Sequence, residues 1–130
     1  MSSQNQIPAK GSNFISLQQA IDLTSTFRKN KDNILAEKYK GTAVIANSET
    51  FNRDGFDALL SNPECAAVRM YTGMDANMNL HAVFVGVNSK NEDLLPMLTS
   101  GLPEDGDDPK ILDEGQRCPA MCPPPSPLNP

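Results

Sequence analysis

Tryptophan is absent from this 130-residue chain, histidine occurs once and cysteine three times. A single imidazole gives little from which to build acid–base chemistry or a metal site. Basic side chains are also in deficit, with 11 Lys and Arg against 16 Asp and Glu and a net charge of −5. The footprint that phosphate neutralisation requires is missing, so nucleic acid is not an expected partner. No apolar run approaches the roughly 18 residues of a membrane-crossing helix, and no membrane partner is expected. Glycine-rich phosphate loops and nucleophile elbows are absent too. Residues 1–8, MSSQNQIP, show no basic segment followed by an apolar one. No secretory leader is therefore expected, which predicts a cytoplasmic protein with reduced thiols.

What is present is unevenly spread. Eight of the 11 prolines fall between Pro103 and Pro130, which leaves residues 14–99 as the stretch able to build a core. Charge divides as well: residues 1–40 carry six basic and three acidic side chains (+3), residues 41–99 three and seven (−4), and residues 100–130 two and six (−4). The organisation expected is a disordered lead-in over 1–13, one α+β domain over 14–99, and an acidic, Pro-rich tail over 100–130 lying on that domain.

Ser16 and Gln19 stand in capping-box spacing. Beyond them Leu17, Ala20, Ile21, Leu23, Thr24 and Phe27 share one helical face, which predicts a helix over 17–29. A short helix over 34–40, closed by Gly41, and a brief extended segment over 42–46 follow. Ser48 caps a second helix carrying Phe51, Phe56, Leu59 and Leu60 on one face, with Gly55 permitting close packing and Asn62-Pro63 ending it. The strongest β pattern is a pair of segments, 65–72 and 80–87, joined by the turn-rich Gly73–Asn79. Together these predict a small, largely antiparallel sheet built on a central hairpin, with helices packed on one face.

With Tyr71 facing His81, alternation places Ala66, Val68, Met70, Leu80, Ala82 and Phe84 on a core face. Arg69, Tyr71 and His81 then cluster at the polar end of the other face. A guanidinium fork, a phenol and an imidazole suit an anionic ligand. The competing expectation is that Arg69 pairs with an acidic side chain while Tyr71 and His81 pack as cross-strand neighbours. An uncovered hairpin edge also leaves a protein partner or a homodimer open.

Asp75-Ala76-Asn77-Met78-Asn79 begins like a calcium loop, but Leu80 and Gly86 stand where that loop needs its Gly and its bidentate Glu. Cys118 and Cys122, at C-x3-C, carry the alternative reading, a thiol-redox or metal-binding pair. Cys65 and His81 fall about 20 Å apart on the hairpin and cannot complete one metal site. Proline after each tail Cys precludes the helix whose dipole would activate a thiol, and a short disulfide or a plain tail competes with both chemistries. No cofactor is expected, and the balance leans away from an enzyme.

The helix ending in Phe27-Arg28, the run Leu60–Cys65 leading into Val68-Arg69-Met70-Tyr71-Thr72-Gly73, the strand Val83–Asn88, and the tail with Cys118-Pro119 and Cys122 form a combined pattern. Over residues 16–122 it resembles a group of short bacterial proteins of uncharacterised function, with an RxYxG-type strand and a Cys-Pro tail. The resemblance implies a domain of this kind and supplies no activity, ligand or catalytic residue. The leading expectation is a small non-enzymatic binding or interaction module for an anionic ligand or a protein segment.

Overall fold

A computed structural model describes residues 5–96 and 109–130. The acidic run Glu104–Asp108 lies outside the described residues. Helix α1 spans Leu17–Asn30 and opens on the expected capping box: the Ser16 hydroxyl accepts from the Gln19 amide, and the Gln19 side chain accepts from the Ser16 amide. Its apolar stripe is only partly covered, since Leu17 and Leu23 stay 62% and 65% exposed. Two short 3₁₀ turns, Lys31–Ile34 and Glu37–Tyr39, replace the expected helix over 34–40. Residues 42–46 form a bent connection rather than a strand.

Ser48 does not cap a helix. Ser48–Thr50 forms strand β1, and helix α2 begins later, at Arg53–Leu60, with the Asn52 side chain accepting from the Asp54 amide. The reason is a partner remote in sequence. Strand β2 spans Ala67–Met74, β3 Leu80–Val87, β4 Asp93–Leu94, β5 Ile111–Leu112 and β6 Gln116–Cys118, and β6 pairs antiparallel with β1. The other sheet has the order β2-β3-β4, with β5 pairing β3 as well. Two helices and two small antiparallel sheets make this an α+β fold, as composition and periodicity predict. Residues 109–130 contribute β5 and β6 and place Cys118 at 1% exposure.

The hairpin β2–β3 forms over the expected segments, with a different register. Gly73, not Tyr71, faces His81, and Tyr71 faces Val83. The cause is the connection. Asp75 Oδ1 accepts from the amides of Asn77 and Asn79, the Asp75 amide donates to the Asn79 carbonyl, and the Met78 amide donates to the Asp75 carbonyl. This five-residue loop lets Gly73 and Met74 join the ladder, where a longer turn over 73–79 would leave them out. The turn from β3 to β4 repeats the design: Asn88 Oδ1 accepts from Lys90 and Glu92, and the Asn88 amide donates to the Glu92 carbonyl. Each loop puts its fourth residue, Met78 or Asn91, in the left-handed region, with φ of 69° and 68°.

The register keeps the expected sidedness of each residue, but burial differs from expectation. Leu80, Ala82 and Phe84 are half-buried, whereas Val68 and Met70 on the same face are 37% and 57% exposed. Helix α2 and β1 close over β3 through an aromatic cluster, with the ring of Phe84 5.2 Å from Phe51 and 5.1 Å from Phe56. Val85 and Val87, on the opposite face, are 2% and 1% exposed.

Two glycines let the C-terminal strands approach this cluster. A Cβ on Gly55 would stand 2.9 Å from the Leu112 methyl, and one on Gly115 would stand 2.5 Å from the Phe51 ring. Leu112 has a flexible end and can move. Phe51 is held between two other rings. Gly115→Ala is therefore expected to destabilise by about 1–3 kcal/mol and Gly55→Ala by less, as measured by chemical denaturation. Equal stability of the Gly115 variant and the parent would rule this packing out.

Candidate functional site

The register separates the three side chains that the sequence groups. Arg69 and Tyr71 remain neighbours on one face of β2, and both reach toward Asp93 on β4. Arg69 donates to the Asp93 carboxylate and to the Asn91 side chain, and the Tyr71 hydroxyl donates to the other Asp93 oxygen. Since Arg69 pairs with Val85 and Asp93 with Val87, the ion pair passes over β3 and its two buried valines. The Asp93 carboxylate pushes the Tyr71 pKa up from 10 and raises that of Arg69 further. The guanidinium is thus already matched to a carboxylate within the chain. An anionic ligand would have to displace it.

His81 sits two residues further along, opposite Gly73. Its Nε2 is 2.8 Å from Asp75 Oδ2, and its Nδ1 is 3.5 Å from Asp113 Oδ1. The imidazole is bonded to the hairpin loop and turns its other nitrogen toward the segment between β5 and β6. Asp75, bonded first to His81 and then to loop amides, has its pKa lowered from 3.8 to about 2. The two carboxylates lie on opposite ring nitrogens and cannot converge on one ion, and among the described residues no group of three or more metal-ligating side chains is found.

The tail cysteines are joined as a Cys118–Cys122 disulfide with Cα atoms 4.4 Å apart, which departs from the reduced thiols expected of them. A turn accounts for the proximity: the Met121 amide donates to the Arg117 carbonyl. Arg117, the basic residue directly before Cys118, is engaged elsewhere. Its guanidinium donates to the carbonyls of Leu80, Ala43 and Val44. Cys65 is free, and its thiol donates to the Ala67 carbonyl.

The feature that sequence reasoning located only in outline is the contrast between the two edges of the hairpin. On β3, the Leu80 amide donates to the Val44 carbonyl and the Ala82 amide to Glu49 Oε1. Because backbone groups alternate in direction, Phe84 and Gly86 face the same way, where β5 and β4 pair with them. Each outward-facing residue of that edge thus has a partner. By the same alternation Val68, Met70, Thr72 and Met74 turn their amides and carbonyls away from β3, and among the described residues no strand pairs with them. Neither proline nor lysine guards this edge.

Two titrations check the polar geometry. The Asp75 carboxyl, followed by NMR, is expected to titrate near pH 2 and to move up toward 3.8 in His81→Gln. A depressed carboxyl stabilises the fold above its unfolded pKa, so the Asp75 contribution is complete above about pH 4 and lost as pH falls through 2. An unshifted Asp75 in the parent would contradict the His81 contact. In a Tyr39→Phe background, phenolate absorbance is expected to show Tyr71 ionising above pH 10, and Asp93→Asn to bring it down. With a raised phenol pKa, the Tyr71 contribution is present below pH 10 and lost as pH climbs through the raised value. Identical curves with and without Asp93 would remove the bond.

Compared with protein-family models, with curated proteins and with solved structures, the chain matches none.

Proposed function

We propose that this chain is a non-enzymatic interaction module that takes up an extended protein segment as an added strand on the open edge of β2. The observation that carries the proposal is the asymmetry of the hairpin. One edge is closed by four different segments, and the other presents a strand of eight residues, Ala67–Met74, with which no other strand pairs among the described residues. Exposed strand edges without Lys, Pro or a covering loop are ready templates for pairing. Strand addition draws affinity from main-chain hydrogen bonds and specificity from side-chain pockets.

Side-chain pockets are at hand. A groove of about 390 Å³ runs beside Met70, walled by Phe51, Phe56 and Phe84 and carrying Ser48 and Glu49 at its polar end. Met70 at 57% and Val68 at 37% exposure offer apolar contact along the same face. The anionic small ligand expected of Arg69, Tyr71 and His81 has less support, because Arg69 is held by Asp93 and His81 stands apart. A thiol-redox role for Cys118 and Cys122 has less support, because the neighbouring Arg117 guanidinium is taken up by the carbonyls of Leu80, Ala43 and Val44.

The proposal is tested with displayed short strand-forming peptides selected on the dilute full chain. A selected peptide is expected to slow amide hydrogen exchange at Val68, Met70 and Thr72, and Met70→Pro is expected to weaken its binding at least tenfold. Proline at 70 removes an outward amide and leaves the β2–β3 ladder intact, because Met70 does not donate to β3. Selection that yields no peptide protecting these amides, or a peptide whose affinity ignores Met70→Pro, would overturn strand addition.

A further inference from the structure

Resting on that open edge, we infer that the added strand is β2 of a second copy of this chain, paired antiparallel about a two-fold axis at Met70. A two-fold interface brings one patch against itself, so the patch has to be its own complement. An antiparallel strand edge meets this condition through its backbone alone, since outward residues on each copy offer one donor and one acceptor to the other.

Register then follows from charge and shape. With the axis at Met70, Met70 faces its own copy, Val68 faces Thr72 of the second copy, and Arg69 faces the second copy's Tyr71. The β-branched pair at 68 and 72 suits a pleated surface. An axis one residue earlier would set Arg69 against Arg69, like charges directly opposed, which destabilises a strand pair. With the axis at Met70, Arg69 meets a phenol instead, and that phenol already carries the Asp93 carboxylate behind it. The two Arg69–Asp93 pairs then extend as one alternating polar row on one face, while Val68 and Met70 of both copies close an apolar seam on the other.

Charge does not oppose pairing at this edge. The chain carries −5, so two copies repel in general. Arg69 is the single ionised side chain within Ala67–Met74, and Asp93 already balances it. Two acidic chains can therefore meet along this edge at low electrostatic cost. It is also where Met70, Tyr71 and Met74 stand 57%, 47% and 57% exposed.

The test is sedimentation of the full chain over about 1 µM to about 1 mM, the range in which weak association is read, for the parent, Met70→Pro and Thr72→Lys. The parent is expected to convert to dimer with rising concentration and both variants to remain monomeric, with the low Asp75 titration as a check that each is folded. The Lys variant serves if the Pro variant does not fold. Register is read by oxidative cross-linking in a Cys65→Ser background. Met70→Cys is expected to cross-link rapidly, because facing Cα atoms of a hydrogen-bonded pair lie about 5.5 Å apart, within disulfide reach. Val68→Cys is expected not to, since its copies stand about four residues apart along the strand.

A parent that stays monomeric throughout, a dimer indifferent to both edge variants, or Val68→Cys cross-linking as fast as Met70→Cys overturns the inference. A monomeric parent whose edge amides are still protected by a selected peptide removes self-pairing and keeps strand addition. Loss of both removes the open edge as a binding surface altogether.

Discussion

The outward edge of β3 is the constraint on which the rest of this fold depends. A buried strand must find partners for every amide and carbonyl it turns away from its hairpin mate, because an unpaired buried polar group costs about as much as a lost hydrogen bond. Here no single long strand does so. Val44, the Glu49 side chain, β5 and β4 each cover one stretch in turn. Arg117 ties two of these stretches together, donating to Leu80 on β3 and to Ala43 and Val44 on the bent connection. The carbonyl of Cys118, next along the chain, accepts from the Asn47 amide, so β6 anchors the approach to β1 as well. The C-terminal segment is therefore part of the same hydrogen-bond closure as the hairpin.

Local chemistry was legible where its partners lie within a few residues. The capping box of Ser16 and Gln19 forms as the spacing predicts, and the two hairpin strands occupy the segments that their composition marks. Ser48 shows the limit of such reading. Its hydroxyl and the apolar spacing after it fit a helix start, and so does Asn52 four residues later. The choice falls to β6, which lies about 70 residues further on and pairs with Ser48–Thr50. A competing partner at that distance leaves no trace in a local window. The expected core face on β2 failed for a related reason, since alternation reports sidedness and not whether anything packs on that side.

The polar site was partly legible in the same sense. That Arg69 would meet an acidic side chain was a readable alternative, but that the acid is Asp93 depends on the Asn88–Glu92 turn bringing β4 back alongside β3. The matching pattern of that turn and the Asp75–Asn79 loop was a usable signal. Each begins with an Asx side chain that caps amides two and four residues on, which sets both loop length and register. Read as caps, the oxygens of the Asp75 loop explain both the hairpin pairing and the placement of His81. Read as metal ligands, they explain neither.

What distinguishes the two edges of the hairpin is chain supply. Among the described residues, the strands after β3 that join its sheet do so on the β3 side: β4 follows through a five-residue turn, and the C-terminal segment lays β5 beside it. Everything before β2 that packs on the sheet, β1 and α2, is drawn to the same side by the Phe51, Phe56 and Phe84 cluster. The aromatic residues are few, and two of them gather around Phe84 on β3. Val68 and Met70 stay exposed as a consequence of where the core is, and the bare backbone edge beside them has the same origin. A core centred on one strand of the hairpin leaves the other strand, among the described residues, as the unpaired edge on which the proposed strand addition rests.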